Sequence, residues 1–120
     1  MSVILKTDLG TITYTDDYIA TLVGIAATEC YGVVGMVSQS MSDGFNGILK
    51  RDNYKKGVKI STKEDNSINI QLFISVQYGI SIVAIVNSII STVSYQIEKL
   101  TGLKVNKVDV VVGDIQVHAD

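Results

Sequence analysis

Between Asp65 and Glu98 the chain carries no charged residue. A neutral stretch of that length must be largely withdrawn from water, either in a folded core or in a bilayer. A membrane-spanning helix needs about 20 consecutive, mostly apolar residues. Here Asn69, Gln71, Ser75, Gln77, Ser81, Asn87, Ser88, Ser91, Thr92 and Ser94 recur too often for one. Two periodicities divide the stretch instead. Ile68, Ile70, Leu72, Ile74, Val76 and Tyr78 alternate with Asn69, Gln71, Phe73, Ser75 and Gln77, the period of a strand with one buried face. After Gly79, the residues Ile82, Val86, Ile89, Val93, Ile97 and Leu100 step by four or three, which predicts a helix over Ile82 to Leu100 with one apolar stripe. Thr101-Gly102 stops it, since glycine enters the left-handed region at little cost. Leu103 to Val112 then reads as a strand, with Val108, Val110 and Val112 on one face.

Upstream elements are expected to pack against this unit. Val3 to Leu5 and Thr11 to Tyr14 carry short strand patterns. Thr15, Asp16 and Asp17 offer an N-cap and negative charge for a helix from Tyr18 to Cys30, in which Ile19, Leu22, Val23, Ala26 and Cys30 form the buried stripe. On another face Ala20, Gly24 and Thr28 are four apart. Glycine within a helix costs about 1 kcal/mol relative to alanine, which close approach of a second backbone would offset. The second helix has a matching small face at Ala84, Ser88 and Ser91, so contact between these helices, within a chain or between two, is expected. Gly32 ends the first helix and Val33 to Val37 reads as a short buried strand. Residues 38–56 read as a surface loop with a turn of helix at Ile48 to Arg51. Gly57 to Lys63 and the strand from Ile68 then form a hairpin around Glu64-Asp65-Asn66-Ser67.

The expected fold is one α+β domain over 1–120: two layers, a mixed sheet of about four strands with two helices on one face, in the order β-α-β-β-β-α-β. At 47% hydrophobic and 18% charged, the chain is richer in apolar residues than a single small core needs, and part of the surplus is assigned to an interface. Cys30 is the only cysteine, so no internal disulfide forms, and the N-terminus lacks the pattern of a secretory leader.

Little in the sequence points to catalysis. One histidine, His118, and one cysteine make no nucleophile-base arrangement or zinc site, and there is no GxGxxG or Walker loop. No cofactor and no metal are expected. Asp109 and Asp114 read as the polar face of the last strand. Gly32-Val33-Val34-Gly35 shares the letters of the GXXG loop of RNA-binding KH domains, but its apolar flanks read as a helix end leading into a strand. Gly44-Phe45-Asn46-Gly47 is a second copy, and it opens a basic segment of Lys50, Arg51, Lys55, Lys56, Lys59 and Lys63, six of the ten basic residues. This could meet a nucleic acid, but Asp43, Asp52, Glu64 and Asp65 dilute it, and a net charge of −2 argues against binding through bulk charge. The other candidate is the uncharged outer face of the second helix, Ala84, Asn87, Ser88, Ser91 and Tyr95, where exposed helices ordinarily carry charge. A protein interface and burial under the N-terminal strand both account for it.

Lys56-Gly57-Val58-Lys59, Val76-Gln77-Tyr78-Gly79-Ile80-Ser81-Ile82, Leu100-Thr101-Gly102-Leu103 and Val105 to Gly113 occur in an order that resembles the alkaline shock protein family of Gram-positive bacteria. These are envelope stress response proteins with YloU-like members. Tyr31-Gly32-Val33-Val34-Gly35-Met36 is similar to the family's Gly-Val-Val-Gly segment. Where the family commonly places a proline at the start of the second helix, this chain has Val83. The resemblance implies a small, cytoplasmic, non-enzymatic protein that associates with itself and with membrane-anchored partners, in cell envelope homeostasis and with a link to fatty acid metabolism. It supplies no catalytic residues. The expected function is therefore that of a self-associating interaction protein of the envelope stress response, held near the membrane by a partner. The alternatives are a nucleic-acid-binding module built on residues 50–63 and a small enzyme or lipid-binding accessory of fatty acid phosphorylation.

Overall fold

The alternating strand becomes the axis of the sheet. In the computed structural model, which describes residues 2–39 and 48–117, the order is β1 (Ser2–Thr7), β2 (Gly10–Thr15), α1 (Asp16–Thr28), β3 (Val33–Met36), a 3-10 helix (Arg51–Gly57), β4 (Val58–Thr62), β5 (Ile68–Gln77), α2 (Ile82–Thr101) and β6 (Val105–Gln116). β6 lies parallel to β5 along its whole length, from Ile68↔Val105 to Gln77↔Gln116. A parallel neighbour needs a crossover, and α2 is that crossover. The other edge of β5 is shared end to end by two antiparallel strands. β4 pairs from Val58↔Leu72 to Thr62↔Ile68, and β3 from Val33↔Val76 to Met36↔Ile74. β3 and β4 thus act as one strand interrupted by an excursion.

The inward face of β5, Ile68, Ile70, Leu72, Ile74 and Val76, is fully buried, whereas Asn69, Gln71, Phe73 and Gln77 are half-buried on the opposite face. The helices supply the rest of the core: Ile19, Val23 and Ala27 from α1, and Ile85, Ile89, Val93 and Ile97 from α2. Three α2 assignments change, Val86 being only half-buried. Ile82 and Leu100 are exposed, and Ile85 and Thr101 take their places, so the buried stripe is Ile85, Ile89, Val93, Ile97 and Thr101 in steps of four. Valine and isoleucine on both flanks of the stripe left its exact direction ambiguous. Tyr78, expected on the buried face of β5, lies beyond the strand's end and is exposed.

The expected caps at Thr15 and Gly102 hold, and Ser81 adds one that was not expected. Thr15 Oγ1 accepts from the Tyr18 amide at 3.1 Å, and Ser81 Oγ accepts from the Ala84 amide at 3.3 Å, so α2 starts without the family's proline. Gly102 ends α2 at φ +77°, its amide donating to Glu98 O at 2.9 Å.

The N-terminal strands differ from expectation. β1 and β2 form a separate two-stranded antiparallel sheet and do not contribute to the main one, which is built of β3 to β6. A lone hairpin is marginal in water. This one is fastened at its base, where Val3 is buried and the Tyr14 hydroxyl donates to Thr101 O at 2.8 Å, satisfying a carbonyl that the last turn of α2 leaves unpaired.

The expected loop at 38–56 is also more ordered toward its end. The turn of helix lies at Arg51–Gly57 rather than Ile48 to Arg51, and it packs Tyr54 onto α1. A Cβ on Gly24 would fall 2.6 Å from Tyr54 Cγ and 2.8 Å from its Cβ. The close approach that excuses a glycine inside α1 is therefore an aromatic ring of the same chain, and not α2. Gly24→Ala should destabilise the fold by about 1–3 kcal/mol through overpacking. In a Tyr54→Ala chain the same change should stabilise by about 1 kcal/mol, the helix-propensity difference, when both are followed by urea denaturation.

In the β4–β5 turn, Asn66 takes a left-handed conformation at φ +66°. The Ser67 hydroxyl, at 2.6 Å, and the Ser67 amide, at 3.1 Å, both donate to Asp65 Oδ1, and these bonds hold the Asp65 carboxyl below the ordinary carboxylate value. A depressed folded-state pKa means that this stabilisation is complete at neutral pH and is lost as pH falls through that pKa. An NMR titration of Ser67→Ala should return Asp65 toward the ordinary value.

Candidate interaction surface

α2 is long enough to cover the sheet and still present a full outer face. Ala84, Asn87, Ser88, Ser91 and Tyr95 all lie exposed on it. The hairpin that could have covered them sits instead against the C-terminal end of α2. Tyr95 is 60% exposed, with Lys99 Nζ 5.6 Å from its ring centre. Up to Ile97 this face holds no charge.

An exposed aromatic and apolar surface lies past the start of α2. The Gln77 amide donates to Gly32 O at 2.9 Å, and the Tyr78 amide to Gln116 O at 3.0 Å, which draws the end of α1, the end of β5 and the end of β6 to one pole. Gly32 and Gly79 both have positive φ, +91° and +94°. The tyrosines preceding them are thrown outward, Tyr31 81% and Tyr78 69% exposed, beside Val83 at 70%. Glu29, the C-cap of α1 two residues before Tyr31, is exposed at this pole, and Asp114 lies at the end of β6. Asp114 is half-buried and accepts from Gln116 Nε2 at 2.6 Å and from Ser75 Oγ at 3.4 Å. Tyr78 was expected to be buried, and Tyr31 and Val83 were not among the expected surface residues. The available signal was the repeated Tyr-Gly pair, each an aromatic residue at a turn that must leave the sheet.

The small face of α1 does not join this surface. Ala20 is buried, Gly24 lies under Tyr54, and Thr28 is half-buried with its hydroxyl donating back to Gly24 O and Ile25 O. Ala84, Ser88 and Ser91 point to solvent, so the two small-residue faces do not meet within the chain.

The basic residues are dispersed. Lys50, Arg51, Lys55 and Lys56 are exposed along the 3-10 helix with Asp52 among them, and Lys55 Nζ is 3.6 Å from Asp17 Oδ2 at the start of α1. Lys59 sits on the open face of the sheet, in a shallow recess with Ser61, Asn69, Gln71, Lys107 and Asp109. Lys63 is at the β4–β5 turn, next to Asp65. Asp43, His118 and the Gly44-Phe45-Asn46-Gly47 segment lie outside the described residues.

Cys30 is buried, its thiol 3.7 Å from Ala26 O, which fits a small core residue. Among the described residues no group of three or more histidine, cysteine, aspartate or glutamate side chains could hold a metal ion. No helix among them is long and apolar enough to cross a membrane.

Comparison with known proteins gives this surface a context. The chain is 38% identical over 118 residues to the protein Spy1614 of Streptococcus pyogenes, covering 98% of this chain and 97% of that one. It is 35% identical over 118 residues to YloU of Bacillus subtilis, covering 98% of each. It is 28% identical over 113 residues to YqhY of the same organism, covering 92% of this chain and 80% of that protein. No solved structure matches. Residues 4–117 match the model of the alkaline shock protein 23 family, described by a cell envelope-related function, and the chain belongs to that family.

Proposed function

We propose that this is a non-enzymatic interaction protein of the cell envelope stress response. Copies of the chain associate through the outer face of α2, and a membrane-anchored protein holds the assembly at the cytoplasmic side of the envelope. One observation carries the reading. Ala84, Asn87, Ser88, Ser91 and Tyr95 face solvent without a single charge among them, and the exposed Tyr31, Tyr78 and Val83 continue the patch. A helix that needed only solubility would carry charge there. A surface that is desolvated on association avoids it, because each buried charge must be paired.

The alternatives draw less support. The basic segment divides between the 3-10 helix, the open sheet face and a turn, with Asp52 and Asp65 among its charges, which supports the phosphate-backbone reading less. A lipid-binding accessory of fatty acid metabolism needs an internal apolar cavity. The two recesses seen among the described residues, at Lys59 and at Ile12, Tyr14 and Tyr18, are superficial.

Light scattering over a range of concentrations tests the proposal. The wild-type chain should form a dimer or larger assembly, and Ser88→Glu should weaken it by more than about tenfold, because a carboxylate would be buried without a partner. A wild-type chain that stays monomeric throughout, or an assembly indifferent to Ser88→Glu, would count against the α2 face.

A further inference from the structure

β6 is hydrogen-bonded to β5 along one edge and, among the described residues, to no strand along the other. At its start the Val105 amide donates to Glu98 Oε2 at 2.9 Å; beyond that, an open edge invites another strand, and natural proteins usually shorten, bulge or charge such edges. Here Asn106 and Gly113 fall at the two register shifts, which leaves Lys107 to Val112 as the regular run, Lys-Val-Asp-Val-Val-Val. The charges in it are Lys107 and Asp109. Both point to the open face of the sheet, 3.4 Å apart, with side chains 56% and 50% exposed.

This spacing is self-complementary. In an antiparallel pair related by a two-fold axis, residues directly opposite share a face and their numbers have a constant sum. With the axis at Val108, Lys107 of each copy lies opposite Asp109 of the other, so both ion pairs form across the junction. With the axis at Asp109, two aspartates oppose one another, which is destabilising. Axes farther along set Asp109 against Val111 or Gly113. A shift by a single residue turns the buried valine face outward. We infer that the free edge of β6 takes a second copy of this chain, antiparallel, with the axis at Val108 and Lys107–Asp109 pairs on either side. The bulge at Asn106 keeps the new ladder short, so the charges decide both its register and much of its strength.

This inference concerns a different surface from the α2 face, and it extends the self-association reading. It is therefore tested in a Ser88→Glu chain, where α2 contacts are removed. Lys107→Asp gives a strand with two carboxylates and Asp109→Lys one with two ammonium groups. Each should fail to pair with itself, while the two mixed restore both ion pairs. Sedimentation of the mixture should show association at least about tenfold tighter than either variant alone, and close to that of the Ser88→Glu parent. Because both side chains are half exposed, the variants fold, and the mixture is its own control. Equal behaviour of the two variants and their mixture, including no association in any of them, would overturn the edge pairing. That result would leave the α2 reading to its own comparison of the chains with and without Ser88→Glu.

Discussion

The fold depends on the position of β5 inside the sheet. Its ten residues have peptide groups on both edges to satisfy and five large apolar side chains on one face. Full burial of a side chain such as Ile, Leu or Val is worth about 1.5–3 kcal/mol, so Ile68, Ile70, Leu72, Ile74 and Val76 concentrate on one strand a stabilisation comparable to that of a whole small domain. That burial requires neighbours on both edges and helices above. β6 supplies one full edge, and because it runs parallel it requires α2 to bring the chain back. A strand without charge and the helix after it are thus consequences of a single constraint.

The second edge shows how the fold accommodates an insertion. β3 and β4 together make one antiparallel neighbour for β5, broken between Met36 and Val58. The neck of the excursion is closed by Leu49 N donating to Met36 O at 2.7 Å and Gln39 N donating to Lys56 O at 2.9 Å. Its returning limb is put to use, since Leu49 joins the core and Tyr54 covers α1 at the one place where α1 has no side chain. A glycine that weakens the helix locally therefore serves the tertiary structure, and α1 can be buried by the sheet, by α2 and by the 3-10 helix at once.

What could be read beforehand was what is local. Period two in β5, the end of α2 at Gly102, the caps at Thr15 and Ser67's turn, and the layer arrangement all follow from residues within a few positions of one another. The misread features are those decided at a distance. Gly24 asks for a close neighbour but cannot say which, and the answer lies thirty residues away in a segment with no periodicity. The stripe of α2 could run through Ile82 and Leu100 or through Ile85 and Thr101, because β-branched residues flank it on both sides. Threonine-rich β1 and β2 have strand propensity without a clear buried face, so nothing in them announced a separate hairpin. The outer face of α2 was legible by its lack of charge. Its continuation to Tyr31 and Tyr78 was not, since only the sheet brings those two turns together.

The chain's course also sorts its charge. α2 starts beside Tyr31 and Tyr78 and ends where Glu98, Lys99 and Lys104 meet the first residues of β5, close to the turn at Lys63 and Asp65, as the bond from Ile68 N to Lys104 O at 2.9 Å fixes. One pole exposes Tyr31, Tyr78 and Val83 with Glu29 beside Tyr31, and the other carries several charges of both signs. The polarity separates two kinds of contact. The proposed association over the α2 face would remove apolar and small polar surface from water, with no ion pair for dissolved salt to screen. Association at the Lys107–Asp109 stretch of β6 rests on half-exposed ion pairs, which are screened over a Debye length of about 8 Å at physiological ionic strength. Under the proposed associations, ionic conditions would therefore tune the β6 contact far more than the α2 contact.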